Sequence, residues 1–277
     1  SVASRGLGDV YKRQKKDGII LRGVVNTPDD FNPSKKYPTA IFYHGFGGDR
    51  NGSAWFRGQN SKYLADRGYI TVRFDFSGTN ESDGDFYDMT VSREEEEAIM
   101  IYDFTKLRKF VDRSRIYLVG HSLGGVISTL IAPKVNPKAM VLLAPASDMN
   151  NPEYLKIAGM TYFDPKTDKQ NLDKIEMAKK LRETQDVDIG GVKLHKGFLL
   201  DFLPKDIYGE ASKYKGNVLI LRGTQDDLVF NDANEKLQKA YNHAKYEQII
   251  DADHSFKNFD HRQIVFEKMY NFLEENK

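Results

Sequence analysis

The feature that most constrains this chain is Gly120-His121-Ser122-Leu123-Gly124, because of what stands on either side of it. Residues 115–119 form a short apolar run suited to a buried strand, and residues 125–131 open like a helix. A serine between two glycines at a strand-to-helix junction sits on a tight turn, where a bulky neighbour would collide with the backbone. G-x-S-x-G alone has many chance matches, and its competing reading is an ordinary glycine-rich turn. The strand before and the helix after make Ser122 the expected nucleophile.

The rest of the chain extends that βα unit. Strand-like runs at residues 18–26, 39–43, 69–74, 140–143, 218–221 and 246–250 alternate with helix-like runs at 61–67, 92–111 and 263–273. This predicts an α/β fold with a mostly parallel central sheet flanked by helices. The acidic run Glu94 to Glu97 suits the first turn of its helix and reads as a solvated face. Between Ala146 and Asn217 lie about seventy residues, where a crossover between parallel strands needs only about a dozen. We therefore expect one domain over residues 15–277 with an inserted lid at about 148–213. The insertion carries Tyr154, Tyr162, Phe163, Phe198, Phe202 and Tyr208, a helix over 172–183 and a hairpin tip at Gly190-Gly191. Residues 1–14 show no periodicity and are read as a non-native or irregular tail, although 9–11 could extend a first strand.

A serine hydroxyl is a weak nucleophile until a base takes its proton. Six histidines compete. His254, in Asp253-His254-Ser255 after the last expected strand, falls at the carboxyl edge of the sheet, where sites of such folds gather. His121 adjoins the serine and is expected to orient its turn, His44 to act as a structural hydrogen-bonder, and His195, His243 and His261 to lie at the surface. The base needs a carboxylate, and Asp226-Asp227 follows the strand at 218–221. Spacing leaves the two aspartates open; Asp226 is favoured. The order Ser, Asp, His is that of an α/β-hydrolase. Donors for a developing oxyanion are expected from the backbone N–H of Leu123 and from Phe46 in His44-Gly45-Phe46-Gly47-Gly48.

Competing chemistry is scarce. The chain has no cysteine, no H-E-x-x-H, no phosphate-binding glycine motif and a net charge of +1, so neither metal, cofactor nor nucleic acid is expected. No apolar run is long enough to span a bilayer, and no signal peptide is visible, so the cytoplasm is the default expectation.

On His44-Gly45-Phe46, Asp75-Phe76-Ser77-Gly78 with Ser82 and Gly84, Gly120 to Gly125, Ala144-Pro145-Ala146 and Gly223-Thr224-Gln225-Asp226, the chain resembles bacterial feruloyl (cinnamoyl) esterases from about Asp17 onward. The narrower mark is the end of the insertion, from Gly197-Phe198-Leu199 to Ile207-Tyr208. The resemblance implies a serine esterase releasing hydroxycinnamic acids, a lid that helps form the acyl pocket, Asp226 as the triad acid, and Phe46 and Leu123 as oxyanion donors. The middle of the insertion, residues 150–193, does not follow the family's pattern. The implied partner is a small ester; a homodimer stays open. The alternatives are a short-chain carboxylesterase or monoacylglycerol-type lipase, and a binding protein on the same scaffold. A peptidase is disfavoured, because the larger enzymes of that type carry a propeller domain that 277 residues do not hold.

Overall fold

A computed structural model describes residues 9–14, 18–150, 187–188, 192–195 and 197–277. Its strands are β1 (Asp9–Gln14), β2 (Ile20–Asn26), β3 (Tyr37–Tyr43), β4 (Ile70–Phe74), β5 (Val111–His121), β6 (Ala139–Leu143), β7 (Val187–Asp188), β8 (Lys193–Leu194), β9 (Asn217–Gly223) and β10 (Ala244–Ile249). Its helices are α1 (Phe56–Ala65), α2 (Val91–Lys106), α3 (Leu123–Val135), α4 (Gly197–Phe202), α5 (Ile207–Lys213), α6 (Asn231–Ala240) and α7 (Phe259–Glu275).

Among the described residues, eight strands make one sheet in the order β1-β2-β4-β3-β5-β6-β9-β10. From β4 to β10 every pairing is parallel; β2 joins β4, and β1 joins β2, antiparallel. The central strands are apolar on both faces, as a sheet covered by helices on both sides requires. On β3, Ile41 and Tyr43 face the cluster covered by α2 to α6, while Ala40 and Phe42 face the one covered by α1 and α7. The chain runs from β3 outward to β4 and then crosses back to β5 on the other side of β3. That reversal opens a crevice beyond the carboxyl ends of β3 and β5, where open α/β sheets hold their ligands.

Residues 9–14, within the stretch read above as a tail that could extend a first strand at 9–11, form β1. A strand at the sheet edge is held by main-chain hydrogen bonds to β2, which side-chain periodicity does not report. The acidic run of α2 is a correction. Glu94, Glu95 and Glu97 are 3%, 8% and 0% exposed, and only Glu96 faces solvent. Glu97 accepts the Ser77 N–H at 2.8 Å. Glu95 receives Lys134 at 3.1 Å and Lys205 at 2.5 Å. Burial, reinforced by the Glu97 charge, pushes the Glu94 carboxyl well above the usual carboxylate range.

In the stretch between β6 and β9, the expected helix at 172–183 and tip at Gly190-Gly191 lie outside the described residues, as do Tyr154, Tyr162 and Phe163. Strands β7 and β8 pair antiparallel. Helices α4 and α5 dock on α2 and α3, where Asp201 accepts the Ser92 N–H at 2.8 Å, Lys205 reaches Glu95, and Tyr208 donates to Asp148.

Candidate active site

Strand β5 delivers Ser122 to the crevice in a conformation few side chains adopt, with φ 55° and ψ −121°. Its backbone is held on both sides: its N–H donates to Leu143 O at 2.9 Å, and its carbonyl accepts from Gly125 N at 2.9 Å and Ala146 N at 3.2 Å. The glycines have steric reasons. A Cβ on Gly124 would strike the carbonyls of Tyr43 and His44, and one on Gly45 would stand 2.9 Å from the Ser122 Cβ.

Ser122 and His254 line one cavity of about 780 Å³ with Phe46, Phe86, Met149 and Val192, and with Arg57, Asn80 and Ser255 on its polar parts. His254 Nδ1 donates to Asp226 Oδ2 at 2.9 Å. A carboxylate can only accept, so in the neutral ring the basic atom is Nε2. Asp226 has no exposed side-chain surface, and its Oδ1 accepts the N–H groups of Leu228 and Val229, each at 2.9 Å. Asp227 is exposed. The structure therefore pairs Asp226, and not its neighbour, with His254.

Leu123 opens α3, where a helix leaves its first N–H groups unpaired, and Phe46 follows the Gly45 that packs on Ser122. The Phe46 ring stands edge-on to Phe86 at 5.4 Å and tilted on Phe198 of α4 at 5.3 Å. An aromatic wall thus joins the β3 loop, the 86–88 turn and the described end of the insertion.

The other histidines separate clearly. His44 donates from Nδ1 to Gly45 O at 2.9 Å and accepts the Phe76 N–H at Nε2, 3.0 Å; burial, and then the Arg57 charge, hold its pKa down to about 3. His121 is buried, and burial followed by the charges of His254 and Arg57 keeps it well below its ordinary pKa. His195 is half-buried beside the Tyr87 ring rather than free at the surface, His243 is exposed, and His261 is half-buried at the start of α7. Arg57, Phe86, Met149 and Val192 were not marked by sequence. The first is one of two cations on α1 and the others are single apolar residues outside the regular strands and helices, so neither pattern nor motif distinguishes them.

Among the described residues no group of histidine and carboxylate side chains could hold a metal ion, and no helix is long and apolar enough to cross a membrane.

A serine on the turn after β5, with a carboxylate-bound histidine after β10 and a parallel sheet beneath, defines an α/β-hydrolase, a class also seen in its structural neighbours. Within it, the chain belongs to the prolyl oligopeptidase family, a serine-hydrolase family whose match covers residues 54–277. Est1E from Butyrivibrio proteoclasticus, in a structure with bound ferulic acid, is similar with a TM-score of 0.80 and 26% identity, over 96% of this chain and 98% of that one. A probable dipeptidyl-aminopeptidase B from Aspergillus clavatus is 28% identical over 131 residues, which is 43% of this chain but only 14% of that protein. The chain thus matches a small part of such curated relatives. A putative dipeptidyl aminopeptidase IV from Bacteroides ovatus shares the fold, with a TM-score of 0.66 and 19% identity over 36% of its length.

Proposed function

We propose that this protein is a serine carboxylic-ester hydrolase that releases ferulic and related hydroxycinnamic acids from their esters. In this reading the Ser122 hydroxyl gives its proton to His254 Nε2 as it attacks the ester carbonyl. Asp226 holds the ring through Nδ1 and stabilises the imidazolium that forms. The oxyanion develops against the N–H groups of Phe46 and Leu123. Collapse expels the alcohol, which takes its proton from His254, and leaves the acyl group on Ser122. Water, deprotonated by the same histidine, then releases the acid. Residues 15–277 act as one domain, and the stretch at about 148–213 serves as the lid over the acyl group.

The observation that carries the substrate class is the aromatic wall of Phe46 and Phe86, backed by Phe198, in the same cavity as Ser122 and His254. An aromatic acyl group stacks on such a wall at favourable ring spacings. The ferulic acid bound by Est1E, similar along nearly the whole chain, points the same way. A second reading, hydrolysis of peptides, is favoured by the family match and by the dipeptidyl-aminopeptidase likeness.

The test is the rate on methyl ferulate, p-nitrophenyl acetate, a long-chain p-nitrophenyl ester and a dipeptidyl p-nitroanilide, for wild type and Ser122→Ala. Ferulate turnover that disappears in Ser122→Ala is the expected result. Turnover confined to the p-nitrophenyl esters leaves a general carboxylesterase or lipase, and anilide cleavage without ferulate turnover leaves a peptidase.

A further inference from the structure

Arg57, at the start of α1, lies 5% exposed at the cavity that holds Ser122 and His254. Its hydrogen-bond acceptors among the described residues are neutral. Nε and Nη2 donate to the Asp49 carbonyl at 3.0 and 2.5 Å, and Nη1 donates to His121 Nδ1 at 3.1 Å. The carboxylate of Asp49 turns instead to the N–H groups of Asn51 and Gly52. A buried guanidinium bonded to neutral acceptors is a costly arrangement. Burial lowers its pKa to about 10, which still leaves it charged near neutrality.

The contacts have a direction. A guanidinium can only donate, so His121 Nδ1 accepts and the ring's proton sits on Nε2. That atom stands 2.9 Å from the carbonyl oxygen of His254, which can only accept. A one-way chain therefore runs from Arg57 through His121 to the backbone of His254, while Asp226 holds the His254 ring from the other end. The remaining arms of the same guanidinium grip Asp49, one residue beyond the glycine loop that carries Phe46.

We infer that Arg57 is the positioning residue of this site. By a single buried fork it sets the oxyanion loop, the serine turn and the histidine loop against one another, and it fixes the tautomer of His121 that tethers His254. The inference rests on the proposed roles of Ser122 and His254, but not on the ferulate assignment. An ammonium group lacks the planar fork needed to reach Asp49 and His121 together. Misplacement of reacting groups by about 1 Å costs about 10²-fold in rate.

The test uses p-nitrophenyl acetate, for which acyl-pocket preference matters least, with Ser122→Ala in parallel. Arg57→Ala is expected to stay folded by circular dichroism and to lose about 10²-fold in kcat, with KM changed by less than about threefold. Arg57→Lys does not recover the loss, whereas millimolar guanidinium restores Arg57→Ala about tenfold and leaves His121→Leu unchanged. His121→Gln, whose amide can accept from Arg57 and donate to the His254 carbonyl, keeps most activity; His121→Leu loses activity but no more than Arg57→Ala, which also frees the Asp49 arm, and the double variant loses no more than Arg57→Ala. Unchanged kcat in Arg57→Ala, or losses in the two positions that simply add, would overturn the inference. If Arg57→Ala does not fold, equal activity of His121→Gln and His121→Leu overturns it. Turnover retained by Ser122→Ala would instead overturn the triad reading, a separate failure.

Discussion

Replacing Asp226 by asparagine changes one oxygen to an NH2 group inside a fully buried site, and the neighbours dictate which one. Oδ1 accepts two main-chain N–H groups, from Leu228 and Val229, and Oδ2 accepts the His254 Nδ1–H. An NH2 group against the two N–H donors would leave three buried donors facing one another, so the amide oxygen must take the Oδ1 place. The NH2 then points at His254 Nδ1 and forces the ring into the Nε2–H tautomer, which cannot accept the proton of Ser122. In a triad the wrong tautomer costs about 10⁴-fold in kcat, equivalent to about 5.5 kcal/mol of barrier. The fold should persist, since both main-chain bonds survive. The assay is p-nitrophenyl acetate turnover of Asp226→Asn against wild type, with thermal unfolding as the control for integrity. Asp227→Asn, at an exposed side chain, should stay within about twofold of wild type. Asp226→Asn within about tenfold of wild type, or Asp227→Asn reproducing the loss, would refute the assignment.

Two further outcomes follow from burial. Glu94 has a buried Oε2 without a hydrogen-bond partner among the described residues, and burial first, then Glu97, hold its carboxyl well above 4.5. It stays protonated in the folded state while the unfolded chain releases that proton above pH 4.5, so the residue's contribution to stability falls as pH rises from there. Glu94→Gln removes this slope, and its urea midpoint should gain on wild type between pH 5 and 8; parallel midpoints would sink the idea. Phe198 is completely buried against Phe46 and Phe202, so Phe198→Ala should cost about 3–5 kcal/mol in urea unfolding and raise KM for methyl ferulate more than for p-nitrophenyl acetate. A smaller effect on the ferulate than on the acetate would separate this ring from the acyl pocket.

What could be read in the sequence was what depends on local geometry. The serine turn, the strands that carry it and the order of Ser122, Asp226 and His254 along the chain all rest on short-range rules of strand, turn and helix. The choice between Asp226 and Asp227 was only a preference in the sequence, because it turns on where two backbone N–H groups point once the loop has closed. The acidic run of α2 was misread as solvated because hydropathy counts charge, not partners. Lys134 and Lys205 come to Glu95 from 39 and 110 residues away, and the Ser77 N–H reaches Glu97 from 20. Arg57 left no mark for the same reason: its acceptors are a carbonyl and a ring nitrogen brought in by folding. The strand at 9–14 was legible only as an allowance at 9–11, because main-chain pairing at an edge has no side-chain signature.

The aromatic wall of the cavity is continuous with the hydrophobic core, since Phe86 and Phe198 belong to the same packed cluster as the helices over the sheet, and Phe46 rests on it. On the proposed reading, substrate shape and folding free energy are therefore written in the same side chains. A mutational walk toward a wider acyl group would pass through variants weakened in the core. Selection for new specificity in this chain should accordingly enrich stabilising substitutions far from the cavity, before or alongside the residues that reshape it.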